Sequence, residues 1–538
     1  MDNNYLIELI SVNSATTKLV EVHLEDKPKV ALIRPPVVFP ARAVGNEATP
    51  SIGLAYLRGY LRKHGYDPIL IDGMALALNR IWKLEKYPGF YVQGLRFEEI
   101  IQKIPRGTSI IGINAMFSGE WPAVRDLITE VRKNFPNALL VAGGEHVTAL
   151  TDYCLQDCPA LDVIVRGEGE HTFFEVCEAF CHGDGFAAIK GAAFRNKDGI
   201  IVVNELVRIK NADVIPAPFW QVENLEKYWK HGKSFGPQTK RDMPMMVSRG
   251  CPYRCAFCSS DQMWTNRYVL RSIDEVMKEL KDYIQHFDVT GIQLYDLTAI
   301  TKKAWILEFL HRLKKEKINV KWAFSSGTRS EALDEEVLTL LKEVGTNYIC
   351  YAPESASERM LEMLRKKIDL KKMDRSIKTA LKIGLIVRVN IIIGFPRERR
   401  RDTYKTLVYA LKYVMKGVED IQPYIYMPYP GSELFRQLLA EQKITLGDNY
   451  FFSLSGLNSD LTNFKPLTFN EKMFPWELAF YRLLFTLMAY SISYLFYPKR
   501  IIRTIRNLLS DDNAATVFEA RVKGVLRRKK EKMVNSYG

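Results

Sequence analysis

The fold is decided by the stretch Ser248-Arg249-Gly250-Cys251-Pro252-Tyr253-Arg254-Cys255-Ala256-Phe257-Cys258. Its cysteines are close enough in sequence for one loop to hold three thiolates around a compact centre, and thiolates are the ligands of iron–sulfur clusters. Zinc is the alternative, but structural zinc normally takes four ligands in paired spacing. The chain has no second CxxC pair, and the nearest upstream histidine is His231. The stretch therefore predicts a 4Fe–4S cluster with one iron free of protein ligands, whose metal-binding and catalytic residues are Cys251, Cys255 and Cys258.

Strands that alternate with helices surround the cysteine stretch. One strand near 245–248 precedes it, and apolar strands follow near 291–295, 321–325, 348–351, 387–393 and 421–426. Six βα units in roughly 200 residues predict a partial or full βα barrel, with its chemistry at the carboxyl ends of the strands. We assign residues 241–440 to this barrel.

The region before the barrel shows the same alternation. Apolar runs at 30–34, 68–71, 110–115, 138–141 and 163–166 alternate with helical patterns at 54–64 and 121–134. This order predicts a doubly wound parallel sheet, covered by helices on both faces, over residues 28–190. Residues 1–27 form an extension, and 191–240, with Pro216 and Pro218, an irregular linker. The predicted class is α/β, completed by a helical C-terminal domain with a basic tail over 441–538.

Composition is typical of a globular protein from a reducing compartment. A chain of 538 residues suggests two to four domains at about 150 residues each. Apart from the cysteine stretch, the cysteines are scattered, unlike those of a disulfide-linked secreted protein. The N-terminus lacks a basic segment followed by a long apolar run, so we predict a cytoplasmic location.

The C-terminal region combines apolar residues with positive charge. Residues 483–497 carry no charge, which is short of the about 20 that a membrane span needs, and Lys499-Arg500 and Arg527-Arg528-Lys529-Lys530 follow. This pattern predicts either an interfacial element that gives peripheral membrane contact, or a helical hairpin packed on the barrel with a solvated tail. The net charge of +14 is also compatible with nucleic acid, but no RNP-type aromatic motif occurs, and we expect no nucleic-acid partner.

The cysteine stretch and several strand ends resemble the radical S-adenosylmethionine (SAM) superfamily. In that family the open iron chelates the methionine amino and carboxylate groups of SAM, and reduction yields a 5′-deoxyadenosyl radical. The resemblance implies that Phe257 packs near the adenine and that Asp296 binds the SAM amino group. It also implies ribose contacts from Glu354 and Ser355, and close backbone approach to SAM at Gly394. Packing or helix capping is the alternative role for these side chains.

The first domain resembles the cobalamin-binding domains fused to many radical SAM enzymes. The matching motifs are Thr49-Pro50-Ser51-Ile52-Gly53, Gly143-Gly144-Glu145-His146 and Arg166-Gly167-Glu168-Gly169. The resemblance implies cobalamin across the carboxyl edge of the sheet, contacted by Pro50, Ser51, Gly143, Gly144, Glu145, Gly167 and Glu168. No histidine has an aspartate two residues before it, so the DxHxxG ligand of many cobalamin proteins is missing. A domain that keeps the shape and binds nothing is the alternative.

These resemblances predict an enzyme that depends on a 4Fe–4S cluster, SAM and cobalamin. The first hypothesis is methylation of an unactivated carbon of a hydrophobic small molecule, with a reductant such as flavodoxin or ferredoxin. The domain order also resembles anaerobic magnesium-protoporphyrin ester cyclases, so ring formation or oxidation is the alternative. A non-catalytic iron–sulfur sensor is a third hypothesis, and it predicts a cluster that does not cleave SAM.

Overall fold

The computed structural model describes residues 27–41, 43, 49–233, 237, 239–455, 460, 463–509, 514–516, 518–520, 522–523 and 526. The predicted extension, apart from Lys27, and the basic run at 527–530 lie outside the described residues. In chain order, the elements up to residue 230 are β1 (Val30–Arg34), β2 (Val37–Pro40), α1 (Ile52–Lys63), β3 (Ile69–Asp72), β4 (Ile81–Lys83), β5 (Phe90–Gln93), α2 (Phe97–Lys103), β6 (Ile110–Asn114), α3 (Trp121–Asn134), β7 (Leu139–Gly143), α4 (Glu145–Ala149), α5 (Thr151–Asp157), β8 (Val163–Val165), α6 (Gly169–His182), β9 (Ala192–Arg195), β10 (Ile201–Val203) and α7 (Val222–Lys230).

A seven-stranded sheet organises this first region, in the order β10-β9-β8-β7-β6-β1-β3. The strands from β8 to β3 run parallel, with Val30 opposite Ile110 and Ala31 opposite Ile69. Alternate side chains of β1 pack against α1 and α6 on one face and against α2 and α3 on the other. Burial on both faces explains why these strands are apolar throughout, and it confirms the predicted doubly wound sheet.

The sheet continues past residue 190, where the sequence predicts an irregular linker. β9 and β10 extend it as antiparallel strands, with Val202 opposite Phe194. Between them lies Asn196-Lys197-Asp198-Gly199, whose Asp-Gly pair is a hairpin signal that the prolines further on obscured. A second small sheet, β2-β5-β4, was not predicted either.

The barrel follows as six parallel strands in the order β11-β14-β15-β16-β17-β18, so β11 and β18 form the edges of a partial barrel. Its elements are β11 (Asp242–Met245), β12 (Ser248–Arg249), α8 (Ser260–Trp264), β13 (Val269–Leu270), α9 (Ile273–Phe287), β14 (Gly291–Leu294), α10 (Lys303–Lys315), β15 (Lys321–Thr328), α11 (Glu335–Glu343), β16 (Thr346–Glu354), α12 (Glu358–Met363), α13 (Leu370–Lys382), β17 (Ile386–Ile393), α14 (Arg400–Met415), β18 (Asp420–Ile425) and α15 (Glu433–Ala440). The pair β12-β13 stands apart as a short antiparallel ribbon at the cysteine loop.

Three C-terminal helices, α16 (Asp448–Leu454), α17 (Pro475–Phe496) and α18 (Lys499–Leu509), pack on the rest of the molecule. Phe451 of α16 and Leu478 of α17 belong to one apolar core with Trp121 of the first domain and Phe395 of the barrel. α17 is longer than the uncharged stretch of the sequence because it includes Glu477 and Arg482, which are both buried. By length and composition alone, α17 is long and apolar enough to cross a membrane. Of its most apolar 18-residue segment, 39% is buried within the protein.

Candidate cofactor site

The barrel residues singled out by the sequence lie at the carboxyl ends of strands. Cys251 follows the ribbon strand β12, Asp296 follows β14, Glu354 closes β16 and Gly394 follows β17. Because β11, β14, β16 and β17 run parallel, the loop that follows β11 and β12 shares with Asp296, Glu354 and Gly394 the edge where barrel enzymes place their chemistry.

The cysteine loop is held by main-chain hydrogen bonds to two helices. The Ala256 N–H donates to the carbonyl of Leu364 after α12 at 2.9 Å, and the Leu434 N–H of α15 donates to the carbonyl of Ala256 at 2.9 Å. The thiols of Cys251, Cys255 and Cys258 are free and partly buried. Nowhere in the described part of the chain do three histidine, cysteine or acidic side chains converge on one metal ion. Thiolates that each bind a different iron of a cluster need not converge in that way.

Two cations face the cysteine loop. The Arg329 guanidinium lies 3.5 Å from the ring centroid of Tyr253, and the Lys366 ammonium lies 5.8 Å from that of Phe257. Burial raises the pKa of the Cys255 thiol, and Lys366 and Arg329 oppose that rise. Nearby positive charge stabilises thiolates and an anionic centre, so the donor set fits an iron–sulfur cluster.

Two of the predicted SAM contacts are engaged within the protein. Asp296 accepts hydrogen bonds from the main-chain N–H groups of Val247 and Ser248, and burial raises its pKa to about 6. Ser355 is buried, and its hydroxyl lies 3.1 Å from that of Thr406. These contacts place Asp296 and Ser355 as supports of the strand ends.

Three others lie around the cysteine loop. The Glu354 carboxylate accepts a bond of 3.0 Å from Lys366, and burial raises its pKa. The Phe257 ring packs 5.8 Å from that of Phe395. Gly394 has φ +81°, and a Cβ there would lie 2.8 Å from Leu478 of α17, so a C-terminal helix closes over this turn.

The first domain contacts the cysteine loop through its own carboxyl edge. Glu145, at the start of α4, accepts a hydrogen bond from Ser259, the residue after Cys258. Arg249, two residues before Cys251, pairs with Glu168 at 3.4 Å and with Glu170 at 2.7 Å. The edge predicted to carry cobalamin therefore faces the loop predicted to carry the cluster.

Burial shapes the charges of this contact. Glu168 also pairs with Arg208 at 3.1 Å, and burial raises the Glu168 pKa although both arginines oppose it. Burial alone would lower the pKa of Arg249, but Glu170 and Glu168 raise it above its usual value. These side chains form a buried ion-pair group that joins the domains.

The remaining predicted cobalamin contacts line the same edge. Gly143 ends β7, and Gly144 has φ +128° with the Ala115 carbonyl 2.7 Å from where a Cβ would stand. Gly167, with φ +71°, follows β8 and packs near Leu206. Pro50 and Ser51 precede α1; their loop is fixed by Arg34, which donates to the Thr49 carbonyl and pairs with Asp72 at 3.5 Å.

The backbone at this edge is open to a flat ring, and the histidine of the Gly-Gly-Glu-His motif is not part of it. A Cβ on Gly53, in the first turn of α1, would meet nothing within 4 Å. His146 is packed inside instead: its Nδ1 lies 2.9 Å from the Ser118 hydroxyl, and burial lowers its pKa to about 3. An open backbone suits a corrin that is bound through its amide side chains.

Sequence reasoning missed the cations of this region. Each of these cations is paired with an acidic residue on another element: Arg249 with Glu168, Lys366 with Glu354 and Arg34 with Asp72. Arg249 stands within the cysteine stretch itself, and its position beside Cys251 was the one local signal.

Comparison with known proteins agrees with this arrangement. Residues 245–410 match the radical SAM superfamily, and residues 41–176 match the B12 binding domain. The uncharacterized methyltransferase PH0819 of Pyrococcus horikoshii is 32% identical over 77% of this chain and 83% of its own length. The anaerobic magnesium-protoporphyrin IX monomethyl ester cyclase of Rubrivivax gelatinosus is 28% identical over 72% of this chain and 66% of its own length.

A solved structure has the same fold. The cobalamin-dependent SAM radical enzyme OxsB superposes with a TM-score of 0.63 over 96% of this chain and 80% of OxsB, at 15% identity. Fold and site thus define an iron–sulfur enzyme built on a radical SAM barrel. The chain belongs to the radical SAM enzymes that carry a B12 binding domain, with a 4Fe–4S cluster, SAM and cobalamin as cofactors.

Proposed function

We propose that this enzyme is a cobalamin-dependent radical SAM methyltransferase that methylates an unactivated carbon of a hydrophobic small molecule. The observation that carries the proposal is the direct contact between the two cofactor edges, through Glu145 with Ser259 and through Glu168 with Arg249. A substrate held between these edges is in reach of both cofactors, and such proximity removes much of the entropic barrier to reaction. The methyltransferase name of the Pyrococcus relative favours methyl transfer.

When bound, the cluster and SAM supply a carbon-centred radical and cobalamin supplies a methyl carrier. We assign the cluster to the thiolates of Cys251, Cys255 and Cys258. Lys366 and Arg329 oppose the rise in pKa that burial gives the Cys251 and Cys255 thiols, and Arg249 keeps the start of the loop against the first domain.

The SAM and cobalamin contacts remain proposals on this chain. Phe257, Glu354, the Gly394 backbone, Asp296 and Ser355 are assigned to SAM, and Asp296 and Ser355 also support the strand ends. The first-domain assignment to cobalamin comprises Pro50, Ser51, Gly143, Gly144, Glu145, Gly167 and Glu168, with Glu145 and Glu168 acting also as the joint to the barrel.

A small-molecule substrate and an external reductant are expected for a radical SAM enzyme. We propose a low-potential electron donor such as flavodoxin or ferredoxin, and a cytoplasmic protein with peripheral membrane contact through the C-terminal region. Aromatic and apolar residues in that region support a hydrophobic substrate.

The test is anaerobic reconstitution with iron, sulfide and cobalamin, followed by dithionite and SAM, with mass-spectrometric detection of products. We expect 5′-deoxyadenosine and S-adenosylhomocysteine, together with the spectrum of bound corrin. Cys255→Ala should abolish 5′-deoxyadenosine, whereas Cys181→Ala, at an exposed cysteine of the first domain, should retain it.

Two other results would redirect the proposal. A 5′-deoxyadenosine signal with bound corrin but no S-adenosylhomocysteine would favour the cyclase type of reaction. A reducible cluster that never cleaves SAM would favour the sensor hypothesis instead.

A further inference from the structure

The outward side of α18 is apolar. Its exposed side chains include Ile501, Ile502, Ile505 and Leu509, of which Ile502 is 71% and Leu509 is 83% exposed. Their spacing of three to four residues puts them on one face of the helix. In a soluble protein, the apolar face of an amphipathic helix normally points to the core. In α18 the apolar face points outward and the polar face points to the core.

Polar contacts on the inner side hold this orientation. Arg503 pairs with Glu419 at 2.6 Å, and the Thr504 hydroxyl and the Asn507 amide each donate to Glu519 at 2.9 Å. Glu519 is itself buried. Turning the apolar face inward would break these bonds and leave buried charges unpaired, so this orientation is built into the fold.

α17 also exposes apolar side chains and buries charged ones. The exposed apolar side chains on one face of this helix are Trp476, Phe480, Leu484, Leu487, Met488 and Leu495, and Phe496 is exposed at its C-terminal end. Its inner side contains Glu477, which pairs with Arg400, and Arg482, which is fully buried. Together, the exposed apolar residues of α17 and α18 form a surface that we call the apolar hairpin face.

The exposed charge on the helices of the apolar hairpin face, and on α14, which packs against α17, is basic. On α14, α17 and α18, which the structure describes completely, every exposed charged side chain is basic: Arg400, Arg401, Lys405, Lys412, Lys499 and Arg506. The two acidic residues of these helices, Asp402 and Glu477, are buried. An apolar surface accompanied by basic side chains is complementary to the interface of an anionic bilayer.

We propose that the apolar hairpin face binds the surface of an anionic lipid bilayer, with α17 and α18 lying in the interface. α17 cannot cross the bilayer in this fold because Phe485 and Ala489 on its inner side belong to the barrel core. A second copy of the chain is the poorer occupant, since a symmetric dimer places like surfaces together and would bring the basic side chains closer to one another.

The surface also lies near the proposed SAM turn. Leu478, on the inner side of α17, packs on Gly394 at the end of β17. One helix, about 10 Å across, therefore separates the lipid surface from the cofactor edge. This deepens the proposed function by naming where a membrane-borne hydrophobic substrate would be met, but the docking itself does not depend on methyl transfer.

Vesicle flotation with the full-length protein tests the proposal, because it reads binding and not activity. We expect flotation with vesicles of phosphatidylcholine and phosphatidylglycerol in equal parts, and weaker binding to phosphatidylcholine alone. Ile502→Gln with Ile505→Gln should weaken binding about tenfold or more, because each isoleucine loses its apolar burial. Lys499→Gln and Arg506→Gln should each weaken it about fivefold, and added salt should do the same.

The matched control is Ile200→Gln with Val214→Gln, two residues that are 61% and 50% exposed elsewhere on the surface. It should bind like the parent protein, and thermal unfolding should show that all variants are folded. Absence of binding to anionic vesicles, or equal losses in the control, would overturn the proposal. Concentration-dependent dimers in light scattering that Ile502→Gln with Ile505→Gln dissolves, without vesicle binding, would assign the surface to a second copy instead.

Discussion

At the scale of single residues, buried charges join the two cofactor domains. Arg249 is almost fully buried, and its guanidinium satisfies Glu168 and Glu170 from the first domain. A buried ion pair adds little net stability over an apolar pair of similar volume. Removing one partner is costly, because the other charge is left buried and unpaired. The cysteine loop therefore depends on a residue that does not itself bind iron.

Arg249→Met should destabilise the protein by about 3–5 kcal/mol, because the buried Glu170 loses its ion-pair partner and the buried Glu168 loses one of its two arginines. We also expect less iron per chain after reconstitution, since the loop that begins at Cys251 loses its anchor. Unfolding in denaturant and iron analysis measure the two effects. Arg62→Met is the control: Arg62 pairs with the exposed Asp67, and its loss should cost about 0–1 kcal/mol. Equal costs for both variants would contradict the anchoring role.

Glu398 should make stability depend on pH. Burial raises the pKa of this carboxyl from 4.5 to about 7, against the hydrogen bonds from Thr403 and the Phe395 N–H. The folded state then holds a proton that the unfolded state releases, so stability falls as pH rises from 4.5 to about 7, by about 3 kcal/mol in total.

Thermal unfolding between about pH 5 and about pH 8 checks this sign. In Glu398→Gln the corresponding part of the slope should vanish, because the amide does not titrate. Glu130→Gln, on the exposed side of α3, should keep the slope of the parent protein. A slope that persists unchanged in Glu398→Gln would assign the effect to other groups.

At the scale of elements, the strand ends were predictable and their side-chain partners were not. The alternation of apolar runs and helices predicted the five later barrel strands and their shared carboxyl edge, because period and order are local properties of the sequence. The first strand was predicted at 245–248, but β11 ends at Met245. Asp296 is predicted to bind the SAM amino group; that it also accepts hydrogen bonds from Val247 and Ser248 could not be predicted, because these bonds depend on a loop that packs from another strand. The antiparallel strands β9 and β10 were missed because the turn signal at Asp198-Gly199 was outweighed by prolines further on.

The turn after β17 depends on α17. Gly394→Ala would strain a left-handed backbone, at φ +81°, and also press its Cβ against Leu478. At Gly199, with φ +78°, an added Cβ would meet nothing within 4 Å, so Gly199→Ala has the backbone cost alone. Its free energy of unfolding should fall by about 1–2 kcal/mol. Gly394→Ala should lose about 1–3 kcal/mol more from overpacking. Denaturant unfolding of both variants measures the difference.

A double variant separates the two causes. Adding Leu478→Ala to Gly394→Ala should relieve the clash, so the double variant should cost less than the sum of the single changes. Full additivity would mean that α17 does not press on the turn.

At the scale of the whole molecule, the predicted domains share one core. Phe451 of the C-terminal region is fully buried. The centroid of its ring lies 5.1 Å from that of His146 and 5.5 Å from that of Tyr153, both in the first domain. The salt bridge between Arg125 and Asp448 spans the same boundary at 2.9 Å. The predicted domain boundaries follow changes in the sequence pattern. Contacts between residues far apart in the chain leave no such pattern, so the shared core could not be predicted from the sequence.

Phe451→Ala should therefore weaken the first domain as well as the C-terminal one. We expect a cost of about 3–5 kcal/mol for the lost ring, and faster hydrogen exchange in α4, which lies beneath it. Phe474→Ala, at a side chain that is 62% exposed, should stay within about 0.5 kcal/mol of the parent protein. Exchange in α4 that is equal in both variants would show that the regions are uncoupled.

The contact between Gly394 and Leu478 also has a consequence for synthesis. A ribosome makes the chain from its amino end, so the barrel strand that precedes Gly394 emerges well before α17 exists to cover it. The turn at Gly394 is therefore exposed to solvent until α17 has been made. A chain truncated after the barrel would leave this turn exposed permanently. We expect nascent chains stalled before α17 to be cleaved by protease near this turn, whereas released full-length chains resist. The site is thus completed only after α17 has been synthesised.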